Sequence, residues 1–432
     1  MNKRLKRELG IFGATMMGLG AMVGTGVFVS IGIAAGAAGP AVVLAIVLAA
    51  MVAVCNALSS AQLAASHAVS GGTYEYGYRY LTPAAGFVAG WMFLCAKAAS
   101  AATAALGFAG YFLRLIGIGS QWMTAIALGA VAAFTLLVLA GIRRSHWMNT
   151  VIVAVTLTAL VLFVGAGLPR LFGAGAENLA PFFVERDDGR VSSFFYATAL
   201  MFVAYTGYAR IATLGEEVED PKRNIPRAIK VTLIVTATLY VLVALVGLSA
   251  IGVERFAAVT EELATPLEAA ARGLAVPGLT TVVAIGSVTA MLGVLLNLIL
   301  GLSRVALAMG RQGDLPPLFG RLSADHDVPF AAVVGVGIAI GALVLIGSVE
   351  LTWAFSAFTV LVYYALTNLA ALQLPEEARL YPRGFAVGGL IACLFLAFWV
   401  PARVWLVGLG LIGAGLVWHA WAKRRWSAAT AS

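Results

Sequence analysis

Charged residues are scarce in this sequence. Asp, Glu, Lys and Arg make up 11% of its 432 residues, whereas 61% are hydrophobic, and the mean hydropathy is +0.95. A soluble globular protein carries about 25% charged residues, so the shortage excludes that class and predicts a polytopic membrane protein. The net charge is +8, but the basic residues lie at the ends of apolar runs and form no stripe, which argues against nucleic acid as a partner.

Groups that bind metals or nucleotides are scarce as well. The four histidines are far apart and show no metal-ligand spacing, and no G-x-x-x-x-G-K-[ST] loop occurs. Apolar segments contain the three cysteines, Cys55, Cys95 and Cys393, which indicates packing residues. The spans offer no convergent acid, base or nucleophile and no repeated ring of channel filter residues. We therefore expect no metal site, no cofactor and no enzymatic activity.

About twelve apolar runs have the length of a membrane span. Lysine and arginine concentrate in every second loop, which predicts that both termini are cytoplasmic. Residues 253–277 are too polar to span and are expected to cap an opening. The sequence thus predicts a multi-pass protein of the cytoplasmic membrane. The spans cover approximately residues 11–35, 40–67, 83–113, 122–140, 147–168, 193–214, 227–251, 280–309, 330–346, 351–374, 385–400 and 404–421.

The first span contains an unusual number of glycines. Residues 18–32, GLGAMVGTGVFVSIG, include several, and each glycine inside a helix costs about 1 kcal/mol relative to alanine. The triplet Gly24-Thr25-Gly26 favours an interrupted helix, because glycine adopts the dihedral angles that end one helix and start another. Free backbone groups at membrane depth survive only where they line a cavity. The alternative is that these glycines allow close helix packing.

The sixth span carries a second interruption signal in the middle of an apolar run, FVAYTGY at residues 202–208. Transporters built from inverted repeats place paired discontinuous helices at the start of two five-span halves, with the solute between them. The predicted division is residues 1–168 for the first repeat, 169–374 for the second, and 375–432 for two further spans and a cytoplasmic C-terminus.

The two predicted interruptions have opposite electrostatics. The outer half of span one starts near Gly26 with unpaired N–H groups, which favour an anion. The outer half of span six ends near Val203 and Ala204 with unpaired carbonyls, which favour a cation. An α-amino acid carries both charges close together. The predicted substrate-binding residues are Val23, Gly24, Thr25, Gly26, Val27, Phe202, Val203, Ala204, Tyr205, Thr206 and Gly207.

Three motifs resemble permeases of the amino acid-polyamine-organocation (APC) superfamily. Their first-helix signature is similar to residues 20–28, GAMVGTGVF. Their eighth-helix exit motif is similar to residues 303–317, SRVALAMGRQGDLPP. FVAYTGYARIATLGEEVEDPKRNIPRAI at residues 202–229 resembles the sixth helix and the loop after it. The resemblance covers essentially the whole chain. It implies an all-α LeuT-type fold, two inverted five-helix repeats plus two helices, that works by alternating access. It also implies that Thr25, Gly26 and the carbonyls near Val203 and Thr206 hold the amino acid backbone.

The gate residues depart from that pattern. Many members carry an aromatic gate just before the unwound part of helix six, where this chain has Val203. Phe202 or Tyr205 is then the gate candidate. Arg210 follows the interruption by about one turn and is a candidate for a cytoplasmic gate, paired with one of the two glutamates after it. The favoured explanation of Arg210, however, is an ordinary helix-end charge.

Lys97 is the one charged residue placed deep in an apolar span. It lies about 21 Å into span three at 1.5 Å per residue, close to the midplane, and intramembrane ionisable groups are usually functional. Proton-coupled members of the superfamily carry a lysine in helix five, where this chain has Thr156. We expect Lys97 either to replace that lysine or to contact an anionic group of the substrate; a snorkelling lysine is the alternative. Thr156 is the other coupling candidate, in a Na⁺ site with carbonyls of span one and a hydroxyl of span eight.

The predicted function is a secondary transporter that moves amino acids across the cytoplasmic membrane, coupled to protons or working by exchange. A carrier of polyamines or amine metabolites, or a Na⁺-coupled carrier, would have the same fold. A sensor that binds an amino acid without transporting it would use the same site.

Overall fold

The computed structural model describes residues 9–67, 71–141, 146–183, 189–212, 218–323 and 328–430. Within these ranges the regular structure is helical, apart from an isolated bridge between Leu9 and Val218. The α-helices are α1 (Ile11–Met22), α2 (Ile31–Ala38), α3 (Val42–Ser66), α4 (Thr73–Tyr80), α5 (Pro83–Ile116), α6 (Met123–Leu139), α7 (His146–Leu171), α8 (Arg190–Tyr205), α9 (Ala209–Ala212), α10 (Pro221–Ile251), α11 (Val253–Leu263), α12 (Pro266–Gly273), α13 (Leu279–Arg311), α14 (Phe330–Val344), α15 (Val349–Leu372), α16 (Arg383–Phe398) and α17 (Ala402–Thr430).

The described helices confirm an all-α polytopic membrane protein. Eight helical runs are long and apolar enough to cross a membrane, and α14 and α16 are shorter apolar helices. The first run, Ile11–Ser66, has 56 residues and would be about 84 Å long if straight. It bends at Gly39, where φ is +65°, and so supplies spans one and two. With α8 and α9 as span six, the described helices correspond to the twelve predicted spans.

Span one is interrupted after Met22, as the glycine triplet predicts. Val23 and Gly24 form a turn, and the Gly24 carbonyl accepts hydrogen bonds from the N–H groups of Val27 and Phe28 at 3.1 Å. A π-helical turn, Gly26–Ser30, then leads into α2. Wide turns of this kind are rare and occur mostly at functional sites. Span one therefore consists of α1 and α2, joined by irregular backbone.

Span six is interrupted less sharply. Helix α8 ends at Tyr205, and a 3₁₀ turn, Thr206–Tyr208, joins it to the short α9. The tighter 3₁₀ hydrogen bonds replace the α-helical ones without leaving an extended segment. The change of helix type falls at Thr206, two to three residues after Val203 and Ala204, where the end of the outer half was expected from the sequence.

The predicted capping stretch folds into two helices. Helix α11 packs on α2, and α12 packs on α10 and α13. Phe256, Leu263 and Leu267 are buried in these contacts, so the alternation of apolar residues with glutamates is an amphipathic pattern. The division into repeats at residues 168 and 374 and the cytoplasmic position of the termini stay predictions.

Candidate functional site

The two helix interruptions lie against each other. A Cβ added to Gly26 would be 2.8 Å from Ala204 Cβ and 2.6 Å from Tyr240 Oη. A Cβ added to Gly207 would be 2.6 Å from the carbonyl carbon of Ala21. Real Cβ atoms do not approach other atoms this closely, because the interior is already close-packed. The sequence offered interruption and close packing as alternatives, and the structure has both at the same glycines.

Tyr240 of α10 connects the two interruptions. Its Oη lies 2.7 Å from the carbonyl oxygen of Met22, the last residue of α1, and 3.2 Å from that of Ala204 in α8. Helix ends leave carbonyls without intrahelical partners, and this phenol donates to them. The sequence analysis did not select Tyr240, because a tyrosine inside the apolar run of span seven looks like an ordinary core residue.

The carbonyls predicted to bind the substrate ammonium already accept hydrogen bonds. Thr206 Oγ1 donates to Val203 at 2.7 Å, Tyr240 Oη to Ala204 at 3.2 Å, and Tyr364 Oη to Thr206 at 3.3 Å. The expectation that they are unpaired is therefore wrong for this conformation. Two of the donors are tyrosine hydroxyls of spans seven and ten, which the sequence pattern does not reveal. The Val203 carbonyl also accepts from the Thr206 backbone N–H, and the Thr206 carbonyl also accepts from that of Ala209.

On the span-one side, the N–H groups of Val27 and Phe28 donate to the Gly24 carbonyl, so the expectation that they are unpaired is wrong for this conformation. One polar side-chain atom remains unused there. Thr25 Oγ1 is buried and has no hydrogen-bond partner among the described residues. Span eight packs against the neighbouring Gly24: an added Cβ there would be 2.5 Å from Val294 Cγ2 and 3.7 Å from the Ala290 carbonyl oxygen. The nearest described span-eight side chain at Gly24 is therefore apolar. The Na⁺ alternative stays a prediction.

Lys97 reaches the interruption of span six. Its Nζ donates a hydrogen bond to Thr206 Oγ1 at 2.7 Å, and Thr206 Oγ1 donates in turn to the Val203 carbonyl. Among the described residues, none of the ion pairs involves Lys97. The lysine side chain is therefore held at the end of α8 by a hydroxyl and not by a carboxylate.

Thr156, the other coupling candidate, is buried in α7 and donates to the carbonyl one turn earlier in its own helix at 2.7 Å. Asn149 and Val153 precede it at helical spacing on the same face. Asn149 Nδ2 donates to the Met16 carbonyl at 2.9 Å, and a Cβ on Gly20 would be 3.0 Å from Val153 Cγ2. Thr156 thus lies on the helix face that packs against span one.

The aromatic gate candidates are both fully buried. Phe202 packs edge-on against Tyr364, with ring centroids 5.6 Å apart. Tyr205 packs against Tyr240 at 5.3 Å, and its Oη donates to the Ile46 carbonyl at 3.3 Å. In this conformation the two rings belong to the packed core around the interruptions. Their gating role stays a prediction.

A cavity of about 250 Å³, here called the inner cavity, lies beside the interruptions on the side of α4. Four predicted residues line it: Lys97, Thr206, Gly207 and Arg210. Span one contributes Ala21 and none of residues 23–27. Arg210 is present as expected for a gate, but Glu216 and Glu217, its expected partners, lie outside the described residues. The other lining residues used below are Tyr74, Tyr76, Asn297, Arg304 and Tyr363.

On the opposite side, the outer halves of spans one and six pack together as α2 and α8. A larger cavity of about 900 Å³ lies beyond that contact and is lined by residues that include Gly32, Tyr196, Thr260, Glu350 and Trp399. The inner cavity reaches Thr206 and Gly207, whereas the larger one does not. Of these two cavities, only the inner cavity therefore reaches the interruptions, and it does so on the α4 side.

A buried polar cluster next to the inner cavity was missed in the sequence analysis. Asp314 follows α13 and has no exposed surface. Its carboxylate accepts hydrogen bonds from Tyr74 Oη at 2.7 Å and Tyr78 Oη at 2.6 Å and lies 2.9 Å from His419 Nδ1. Trp418 Nε1 donates to the Asp314 carbonyl at 2.8 Å. The cluster ties α4, which lines the inner cavity, to the ends of α13 and α17.

The phenols of this cluster are strong, stable donors. Burial is the main cause that raises the pKa of both Tyr74 and Tyr78, and the hydrogen bond to Asp314 is the second. Both therefore stay protonated at neutral pH. The partners are separated by more than 200 positions in the chain, so no local spacing could have predicted them. The polar residues in the R-Q-G-D loop and on the last span were the only signal.

The chain is similar to known transporters along nearly its whole length. Residues 13–424 match the family described as amino acid permease. An uncharacterized transporter of Mycobacterium tuberculosis is 41% identical over 412 residues, which cover 95% of this chain and 90% of the relative. The branched-chain amino acid permease of Bacillus subtilis is 29% identical, with 95% and 92% covered. The human cationic amino acid transporter 4 is 28% identical, with 88% and 61% covered.

Proposed function

The chain belongs to the amino acid permease family, and we propose that it moves amino acids across the cytoplasmic membrane by alternating access. As a member of this family it is a multi-pass membrane transporter of amino acids or related substrates, and not an enzyme. The proposal adds that binding occurs between the interrupted spans one and six, and that both termini are cytoplasmic.

The observation that carries this proposal is the juxtaposition of the two interruptions. Gly26 lies against Ala204, and Thr25 Oγ1 is buried beside them without a partner among the described residues. Backbone groups at such a place recognise charge and not side-chain shape, which suits the carboxylate and ammonium shared by all amino acids. The contact between α2 and α8 closes one side, and opening it while the inner cavity closes would complete the transport cycle.

The finer part of the proposal concerns coupling. Lys97 contacts Thr206 at the end of α8, so a change in the charge of Lys97 changes a hydrogen bond at the interruption itself. Thr156 bonds within its own helix. We therefore assign the coupling role to Lys97, with protons as the coupling ion. The same contact supports a carrier that works by exchange, if Lys97 keeps its charge throughout the cycle.

Counterflow in proteoliposomes tests the function. Vesicles that contain the purified chain are loaded with one unlabelled amino acid at a time, and uptake of the same labelled amino acid is followed. A carrier accumulates label, whereas a sensor binds it without accumulation. The assay is repeated with polyamines, with an inward Na⁺ gradient and with an inward proton gradient. Absence of counterflow for every amino acid, with binding retained, would overturn the transport proposal.

A further inference from the structure

The inner cavity has a positive charge balance. Its described lining includes three basic side chains and no acidic one. Arg210 and Arg304 lie near the cytoplasmic ends of their spans, where the positive-inside rule accounts for basic residues. Lys97 lies in the middle of α5, far from either end, and that rule does not explain it. Asn297 of α13 adds a neutral amide to the same wall.

Lys97 has no negative partner in the described part of the chain. Its hydrogen bond goes to the neutral Thr206 hydroxyl, and no ion pair includes it. The acidic residues behind α4 are engaged elsewhere, since Glu75 accepts from Gln312 and Asp314 accepts from two tyrosines. A charge removed from water without a partner is strongly unfavourable. A partner that enters the cavity with the substrate would remove this cost.

We propose that the substrate carries a second carboxylate which binds Lys97, so that the carrier selects acidic amino acids of the glutamate and aspartate type. This rests on the proposed function, because the first carboxylate and the ammonium are assigned to the interruptions of spans one and six. Asn297 supplies a further hydrogen-bond donor in the lining of the inner cavity. A charge-assisted hydrogen bond between ammonium and carboxylate is about twice as strong as a neutral one.

The same charge excludes cationic amino acids. A side-chain ammonium or guanidinium of the substrate in the inner cavity would face Lys97 without an acidic side chain among the described lining residues to compensate. Like charges that are brought together out of water discriminate strongly against the wrong partner. This chain therefore differs in substrate charge from the relatives that are named as cationic amino acid transporters.

Binding of the acidic substrate and protonation of Lys97 favour each other. Because a charged Lys97 favours the carboxylate, the bound carboxylate favours the charged form of Lys97 by the same factor. An acidic amino acid then enters together with a proton and not in exchange for one. The other titratable or charged side chains on or directly behind the cavity wall are Tyr74, Tyr76, Tyr363, Arg210, Arg304, Glu75, Asp314 and His419.

The test compares amino acids that differ in charge and hardly in shape. Counterflow is measured for glutamate against glutamine, aspartate against asparagine, and lysine. We expect each acid to be transported at least about tenfold better than its amide, a factor that corresponds to about 1.4 kcal/mol, and lysine to be transported worst. Glutamate uptake is expected to rise with an inward proton gradient.

Variants of Lys97 locate the effect. Lys97→Met is expected to lower glutamate counterflow at least about tenfold while glutamine counterflow persists, which also shows that the variant folds. Lys97→Arg keeps the charge and should keep the preference for the acid. Arg304→Gln serves as the matched control, because it removes an exposed basic residue of the same cavity, and should change the preference less than about threefold.

Two failures are distinguishable. If glutamine or lysine is transported as well as glutamate, or if Lys97→Met leaves the ratio of glutamate to glutamine unchanged, the substrate inference is overturned while amino acid transport stands. If no amino acid shows counterflow, the proposed function itself fails, and the substrate inference, which rests on it, fails as well.

Discussion

Gly26 of the first span lies directly against Ala204 of the sixth, so closely that a Cβ on Gly26 would be 2.8 Å from Ala204 Cβ. The two helix interruptions are thereby held at the same depth, and the inner cavity begins further along span six, at Thr206 and Gly207. The arrangement brings the backbone of the two interrupted spans into one place. It is the structural basis for assigning an amino acid substrate to the chain.

The first prediction concerns this contact. Gly26→Ala places a methyl group against Ala204 and Tyr240, and overpacking of this kind costs about 1–3 kcal/mol. We expect amino acid counterflow to fall at least about tenfold. The matched control is Gly165→Ala in span five, where an added Cβ meets nothing within 4 Å. The control should transport normally and melt no lower than the wild type. Normal counterflow by Gly26→Ala would show that the close contact is dispensable.

The second prediction concerns the bridge made by Tyr240. Tyr240→Phe removes the hydroxyl that lies near the carbonyls of Met22 and Ala204 but keeps the ring that packs against Tyr205. Loss of a buried hydrogen bond costs about 1–3 kcal/mol. We expect a lower melting temperature in detergent and slower counterflow.

The control for Tyr240 is Tyr381→Phe, in the connection between α15 and α16, which is expected to change neither quantity. If Tyr240→Phe melts and transports like the wild type, the phenol does not connect the two interruptions.

The third prediction concerns the Asp314 cluster. Asp314→Asn removes the charge that accepts two phenol hydrogen bonds and faces His419, and hydrogen bonds to charged groups contribute about 1.5–3 kcal/mol each. We expect the melting temperature to fall and α4 to exchange its amide hydrogens faster. Glu75→Gln on the same helix is the control, because an amide can keep the hydrogen bond with Gln312. Unchanged exchange in α4 after Asp314→Asn would contradict the role given to the cluster.

The fourth prediction follows from the raised pKa of Tyr78. Burial is the main cause of this rise, and the hydrogen bond to Asp314 adds to it. The folded chain holds this phenol proton more tightly than the unfolded chain does, so the stabilisation is complete below pH 10 and is lost as the pH rises above it. We expect the fall in melting temperature between pH 8 and pH 10.5 to be smaller in Tyr78→Phe than in the wild type. An equal fall in both proteins would exclude Tyr78 as a contributor.

The sequence predicted features that depend on local chemistry. The glycine triplet indicated the interruption of span one, and the position of Lys97 indicated a lysine deep in span three, because backbone freedom and the position of a charge can be read from a single segment. The functional role of Lys97 stays a prediction. The partners of these groups could not be predicted in the same way. Tyr240 lies more than 200 positions after Met22, and Asp314 about 100 before His419. Such contacts arise only when the spans pack, so the carbonyls near Val203 were expected to be unpaired.

The central claim is that the interruptions of spans one and six bind the carboxylate and the ammonium of an amino acid. Competition in the counterflow assay tests it most directly, with the transported amino acid compared with its deaminated acid and its decarboxylated amine. Loss of a buried charged contact costs about 2–5 kcal/mol, so we predict that each analogue competes at least about thirtyfold more weakly than the parent. Competition by either analogue as strong as that of the parent amino acid would contradict the account.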